Sequence, residues 1–320
     1  MQESDASVAA LIATMDRPDH VRKAIESVCQ QTYDAIEIVV VDASSDDRTN
    51  DVVEELRRSY PDRPFEYVHN DTPRGLPAAR NQAVAETDAE YLAFLDDDDR
   101  WWPEKTARQL SAFESGTDRL GLVHAGYRAV DGDGGRLFTF VPEYGDTVDP
   151  ELLVRNTIRT PSSVMVRRDA VEDVGGFDEQ LRFCADWDFY LRVSRNYDVD
   201  YVAEPMLDRM YHDDAMIEDL ESLFTYREAL LEKHADTLDA HGVTDRAWAT
   251  HYRGAGERYL EAGNRSAARA AYYALLTRQR DPRAAVVYLL LWLLPTDYVT
   301  PTIDALTAVE RRIQPAAPTG

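Results

Sequence analysis

Lysine is nearly missing from this 320-residue chain: Lys23, Lys105 and Lys233 stand against 32 arginines. Positive charge of any kind is scarce, since 35 Lys and Arg face 59 Asp and Glu, giving a formal charge of −24 and a sequence pI near 4.6. Proteins that grip a phosphate backbone need a cationic footprint, so no nucleic-acid partner is expected. The acidity rests on 37 aspartates. An Asp-rich, Lys-poor surface suits concentrated salt, where charge screening acts within about 3 Å at 1 M. A salt-filled cytoplasm is therefore the expected setting. Cysteine is also rare. Cys29 and Cys184 lie 155 positions apart, which is neither a disulfide framework nor a metal-knuckle spacing, and both are expected to be buried small hydrophobes. Residues Met1 to Ser7 have no basic region followed by an apolar one, so no secretory signal is expected. The longest apolar run, Ala284 to Leu294, covers 11 residues against the roughly 20 that span a bilayer. The chain should be soluble, cytoplasmic, or at most bound to the cytoplasmic face of a membrane.

Apolar residues are plentiful at 44%, enough for one large core or two smaller ones. In the first hundred residues two periods alternate. Strand-like Val8 to Ala13, Ile36 to Val41, Phe65 to His69 and Tyr91 to Leu95 are interleaved with helical Pro18 to Gln30, Asp51 to Tyr60 and Leu76 to Ala85. This alternation predicts right-handed crossovers and a mainly parallel sheet flanked by helices, an α/β fold whose ligands gather beyond the carboxyl ends of the strands. Further on, Gly121 to Val130 and Leu137 to Val141 flank Asp131-Gly-Asp-Gly-Gly135 as a hairpin. Ser163 to Arg167, Phe189 to Arg195 and Tyr201 to Met210 suggest strand, helix and strand. From about Met216 the texture turns continuously helical, which predicts two domains, 1–215 and an all-α extension 216–320. Charge splits at the same place: residues 1–215 carry net −22 and residues 216–320 net −2.

The sharpest feature is Phe94-Leu-Asp-Asp-Asp-Asp-Arg-Trp-Trp-Pro103, four consecutive aspartates closing a hydrophobic strand. Adjacent carboxylates repel by roughly a kcal/mol per pair at near-surface dielectric, so the cluster calls for a compensating cation. Hard oxygen ligands suit Mg²⁺ or Mn²⁺, which keep several waters and bind substrate phosphates. The competing reading is a solvated acidic turn.

These residues carry a resemblance. Asp-x-Asp-Asp followed by Trp-Pro is similar to the inverting family 2 glycosyltransferases of the GT-A fold. Ala13-Thr-Met-Asp-Arg-Pro18 resembles the family's Pro-Thr-Tyr-Asn-Arg-Pro opening, and Val39-Val-Val-Asp-Ala-Ser-Ser-Asp46 its Val-Val-Asp-Asp-Gly-Ser-x-Asp segment. Arg74-Gly-Leu-Pro-Ala-Ala-Arg-Asn81 resembles Gly-x-x-x-Ala-Arg-Asn. Gly175-Gly-Phe-Asp-Glu179 and Ala185-Asp-Trp-Asp-Phe-Tyr-Leu-Arg192 resemble its Gly-Gly-Phe-Asp-Glu and Glu-Asp-Trp-Asp-Leu-x-x-Arg pair. The five motifs follow the family's order across about residues 8–212. With the acidic composition, the resemblance points to a haloarchaeal member.

The resemblance implies transfer of a sugar from a nucleotide-diphosphate donor to a glycan hydroxyl or a lipid-linked (polyprenyl phosphate) acceptor. It implies Asp98 with Asp96 as metal ligands, Asp97 in support, Thr14 and Asp42 at the nucleoside, Arg80 as a phosphate clamp and Asp186 as general base. It also places His212 near the metal or pyrophosphate, against the commoner structural role of a lone histidine. Asp186 competes with a helix N-cap reading, a role Asp188 shares. Ala43 stands where relatives often have a second Asp, and Ala185 where they often have Glu. Trp101 and Trp102 suggest one platform residue and one core residue. A catalytically silent scaffold on the same fold is the alternative, although the acidic cluster and the base are both present. No Gly-x-Gly-x-x-Gly follows the first strand, which argues against a nicotinamide enzyme. In the extension, an Arg-rich stretch from Arg246 to Arg283 runs into Ala284 to Pro295, either a membrane-surface anchor or a helix packed in its own bundle.

Overall fold

The computed structural model describes residues 6–143, 150–211, 219–279 and 282–293. The chain divides into two compact units, residues 1–218 and 219–320.

The first unit begins with the alternation. Strand β1 (Val8–Thr14) leads to helix α1 (Pro18–Cys29), then β2 (Ile36–Asp42), α2 (Arg48–Ser59), β3 (Phe65–His69), α3 (Leu76–Ala85) and β4 (Tyr91–Asp96). Strands β1, β2 and β4 are buried on both faces, which is why they read as largely apolar runs, whereas the edge strand β3 is partly exposed. Pro18 and Pro77 sit in the first turns of α1 and α3, where a missing N–H costs nothing. Then follow β5 (Arg100–Trp101), α4 (Lys105–Ser115), β6 (Leu120–Val130), β7 (Arg136–Phe140), α5 (Pro150–Val154) and a 3₁₀ turn (Pro161–Ser163). The unit closes with β8 (Met165–Arg167), α6 (Arg168–Val174), α7 (Ala185–Asn196) and β9 (Asp198–Met210).

The sheet runs β3-β2-β1-β4-β8-β6-β9-β5, with β7 paired to β6 as the expected hairpin. From β3 to β4 all neighbours are parallel; beyond β4 the pairs with β8, β5 and β7 are antiparallel and only β6 with β9 is parallel. The sheet is thus mixed rather than mainly parallel. The reason is that β8 is a three-residue strand entering from a loop, not from a crossover helix. Helix α4 has no counterpart in the sequence reading, because its buried face is polar: Lys105, Thr106 and Gln109 beside Leu110.

The second unit is helical: α8 (Leu220–Lys233), α9 (Ala235–Ala240), α10 (Thr244–Glu261), α11 (Arg265–Gln279) and α12 (Pro282–Leu293). Leu260, Tyr272, Leu275, Val287 and Leu291 form its core. A Cβ on Gly256 would lie 2.6 Å from the Tyr272 ring, so a glycine lets α10 and α11 approach. On α12, Ala284, Val287 and Leu291 face inward while Val286, Leu289, Trp292 and Leu293 are exposed. None of the described helices is long and apolar enough to cross a membrane.

Candidate active site

Register fixes the site. Thr14 lies opposite Asp42, and Ala13 opposite Asp96, so β1, β2 and β4 end at one sheet edge. Two loops there are tied together. The backbone N–H of Asp16 donates to Ser44 Oγ at 2.8 Å, and its carboxylate accepts from Ser45 N at 2.8 Å and Ser45 Oγ at 2.9 Å. Asp16 takes φ +55°, a left-handed conformation that Asp and Asn tolerate better than most side chains. A cavity of about 430 Å³ opens against this edge, walled by Thr14, Arg17, Ala43, Asn70, Gln82 and Asp96 to Asp98, among others.

Each expected site residue among the described residues has a definite place. Thr14 lines the cavity, and its hydroxyl donates to Asp97 Oδ2 at 2.7 Å. Asp42 does not line it. The carboxylate is fully buried and saturated, Oδ1 accepting from Ser44 N at 2.8 Å and Ser44 Oγ at 2.5 Å, Oδ2 from Tyr67 at 2.8 Å. It braces the cavity floor, while its neighbours Val41 and Ala43 face the space. Arg80 is likewise committed inward. Its guanidinium pairs with Asp96 at 2.7 Å and packs on the Phe177 ring, with 8% of the side chain exposed. An unengaged phosphate clamp is not what the geometry shows at Arg80.

The four aspartates divide. Asp96 holds Arg80, and its backbone N–H donates to Ser162 Oγ at 3.0 Å. Asp97 is buried between Thr14 and Arg17, and its pKa is pushed up to about 6 by burial against the pull of Thr14 and Arg17. Asp98 faces the cavity, with Arg17 at 3.6 Å. Asp99 turns inward to accept from Met210 N at 2.9 Å, and burial raises it well above the ordinary carboxylate range. Asp96 and Asp98 therefore share one cavity wall, but no cluster of three or more His, Cys, Asp or Glu arranged for a metal occurs among the described residues. Such a pair fits a hard cation that takes one or two carboxylates and completes its shell with water and phosphate. It does not fit a closed protein cage. His212 lies outside the described residues.

Asp186 sits in the first turn of α7, whose N-cap is Cys184 with no side-chain cap bond. Asp188 is buried and bonded to Arg192 at 2.7 Å, so neither aspartate caps the helix. Cys184 adopts φ +62° and is partly exposed, unlike the buried Cys29; a helix-entry turn, not a core, occupies that position. Asp186 accepts from Asn156 Nδ2 at 3.0 Å. Burial raises its pKa, opposed by Arg80 and by hydrogen bonds from Trp187 and Asn156. Trp101 is core, its indole donating to Ser162 O at 2.9 Å, and Trp102 is half-buried with its indole on Asp208.

Two distant motifs meet directly here. Asn81 Nδ2 donates to Phe177 O at 2.9 Å and Asn81 Oδ1 accepts from Phe177 N at 2.7 Å, while Glu179 reaches Asn81 and Arg74. Gly176, at φ +70°, would place a Cβ 2.5 Å from Asn81 Oδ1, so glycine is required for the contact. The sequence reading did not single out Arg17 or Asn156. Arg17 lies within the opening motif and so carried a signal; Asn156 lies in a loop with none.

The model of the family described as Glycosyl transferase family 2 matches residues 9–175, more than half of the chain. The chain belongs to glycosyltransferase family 2. Among curated relatives, an uncharacterized glycosyltransferase of Haemophilus influenzae is 27% identical over 192 residues, 58% of this chain and 61% of that protein. The uncharacterized glycosyltransferase YwdF of Bacillus subtilis is 28% identical over 204 residues, 60% of this chain and 69% of that protein. The match thus spans less than two thirds of the Haemophilus protein's length. Among solved structures, S. aureus TarS 1-349 in complex with UDP-GlcNAc superposes with a TM-score of 0.63 at 15% identity, covering 91% of this chain and 88% of that one. The mannosyltransferase PcManGT from Pyrobaculum calidifontis, in complex with GDP-Man and Mn²⁺, gives 0.61 at 17% identity, covering 94% and 80%. At these identities the likeness shows the fold, which is the GT-A architecture.

Proposed function

We propose that this family 2 member is an inverting glycosyltransferase that moves a sugar from a nucleoside-diphosphate donor to an acceptor hydroxyl or polyprenyl phosphate in glycan assembly. One observation carries the reading: the cavity at the ends of β1, β2 and β4 is walled by Thr14, Asp96 and Asp98, and Asp96 pairs with Arg80, whose charge also acts on Asp186. The donor's nucleoside would lie along Thr14, Asn70 and Gln82, whose amides bond each other at 2.9 Å and present a polar edge. Asp96 and Asp98 would hold Mn²⁺ or Mg²⁺, with Asp97 as buried support. When bound, such a cation offsets charge on the diphosphate. Arg80 acts through Asp96 and Asp186 rather than on phosphate. Asp42 holds the floor of the nucleoside pocket through Ser44 and Tyr67. In the reaction the acceptor oxygen bonds to the anomeric carbon, the bond to the diphosphate breaks with its electron pair leaving on oxygen, and a hydroxyl acceptor's proton passes to Asp186. A carboxylate whose pKa is raised by burial is the better base.

The mannosyltransferase PcManGT is in complex with GDP-Man and Mn²⁺, and that supports the metal reading here. The test is turnover of UDP- and GDP-linked hexoses with Mn²⁺, with Mg²⁺ and with EDTA, in concentrated KCl to suit the acidic surface. At least one donor should be consumed, and EDTA should abolish its consumption. Undiminished turnover in EDTA removes the metal from the account.

The exposed Val286, Leu289, Trp292 and Leu293 on α12, with the Arg269 guanidinium 4.1 Å from the Trp292 ring, suit the surface of an anionic bilayer carrying a lipid-linked acceptor. The full chain should float with anionic vesicles, and Trp292→Glu should sink. Equal behaviour of the two proteins removes the membrane contact.

A further inference from the structure

A second cavity of about 420 Å³ lies in the same unit, lined by Phe140, Arg155, Asn156 and Arg159 among others. Asn156 is the residue that this cavity shares with Asp186. Its carboxamide orientation is fixed by chemistry: Oδ1 accepts from the backbone N–H of Arg159 at 3.0 Å, and that group can only donate. The Nδ2 group must then face Asp186 Oδ2, at 3.0 Å. Arg159 reaches this arrangement at φ +71°, a left-handed conformation that costs a non-glycine residue about 1 kcal/mol or more. Its side chain lies over the Phe140 ring at 4.3 Å. The loop is anchored from the other side, since the Trp187 indole donates to Leu152 O at 2.7 Å and Leu152 to Val154 are buried.

Asp186 lines neither cavity itself, but Asn156, which lines the second one, bonds it directly, and it feels the charges of Arg80 and of Asp96, the latter on the wall of the cavity at the strand ends. A group that takes a proton from an acceptor must hold one orientation relative to both reactants, because misplacement by about 1 Å can cost 10²-fold.

We propose that Asn156 is a positioning residue for Asp186, coupling the carboxylate to the second cavity, where the hydroxyl-bearing acceptor enters. This rests on the glycosyltransferase reading above. The backbone strain at Arg159 is spent on aiming one amide hydrogen at the base. Asn156 touches neither the donor cavity nor its carboxylate wall, so donor affinity is independent of it.

Two variants separate positioning from simple bracing of the loop. Asn156→Asp keeps the shape and keeps an oxygen to accept from Arg159 N–H, but sets a second carboxylate against Asp186. Asn156→Ala removes both bonds. With the nucleotide sugar that wild type consumes, kcat should fall about tenfold or more in both, further in Asn156→Asp, with donor KM within about twofold of wild type. A brace would give the opposite order: Asn156→Asp close to wild type in kcat and melting temperature, and Asn156→Ala impaired in both. That order, wild-type kcat in both variants, or a loss carried by donor KM overturns the proposal. If wild type consumes no nucleotide sugar, the functional reading itself falls and takes this inference with it; if wild type is active and the variants behave as a brace, only the inference falls.

Discussion

Replacing Asp186 by Asn should cut transfer by about 10²- to 10⁴-fold, the range a positioned general base supplies, while leaving donor affinity unchanged. The substitution keeps the size and one acceptor oxygen, which can still face Asn156, so α7 and its packing through Trp187 should survive. What it removes is the carboxylate that Asn156 holds and that the account assigns as proton acceptor. Donor binding is spared because the donor cavity is walled by Thr14, Asn70, Gln82 and the aspartates after β4, not by Asp186. The wild-type rate should also show its acidic limb shifted upward from the ordinary aspartate value, since burial raises the Asp186 pKa and Asp96 adds to that, while Arg80 opposes it. Below that limb the base is protonated and the rate falls. Titration calorimetry for the donor and a pH–rate profile for turnover check both halves; full turnover in Asp186→Asn would remove the assignment.

The second large effect is on stability. Arg80→Ala should destabilise the protein by about 3 kcal/mol, the low end for breaking a buried ion pair, because Asp96 retains some solvent contact. Arg80 is the cation that faces Asp96 and also offsets Asp186, with Asp97, Asp98 and Asp99 close behind. Removing it leaves those carboxylates to repel one another in a partly dry setting. The sign with pH follows: burial raises Asp97 to about 6 and raises Asp186, so the part of the loss that comes from their charges is larger at pH 7.5 and should shrink as the medium is acidified and they take up protons. Arg80→Lys, which keeps the charge but loses the planar fork and its packing on Phe177, should recover only part. Urea unfolding at pH 7.5 and pH 5 measures both. Equal stability of Arg80→Ala and wild type at pH 7.5 would mean that Arg80 is not the charge that holds this wall together.

Much of the sheet was legible because its cause is local. Strands β1, β2 and β4 are buried on both faces and so read as apolar runs, and helices α1 and α2 show one apolar stripe each. Helix α4 was not, because tertiary contacts satisfy polar groups on its buried face: Gln109 donates to Val123 O and Ser163 O, and Lys105 rests on the Trp101 ring at 4.0 Å. No periodicity of apolar residues announces such a helix. Strand order beyond β4 was equally hidden, since a three-residue β8 carries almost no pattern.

At the site, residue types and positions were readable while their directions were not. Asp42 and Arg80 stand at the expected strand end and helix, yet both turn inward, because Ser44 with Tyr67 and Asp96 with Phe177 satisfy them there. Strand position tells which edge a carboxylate reaches and leaves open which partner completes it. The link between Asn81 and the Phe177 backbone explains why two motifs nearly a hundred residues apart accompany one another: each completes the other's hydrogen bonds. Asn156 could not be found from sequence, since its role depends on one strained backbone N–H at Arg159.

The central claim is inverting transfer with Asp186 as base. It is tested most directly by following the anomeric proton of the transferred sugar by NMR in parallel reactions of wild type and Asp186→Asn, using the donor that the nucleotide-sugar panel selects. The account predicts a product of inverted configuration from wild type and almost none from the variant. A product of retained configuration, or equal turnover by the two proteins, would contradict it.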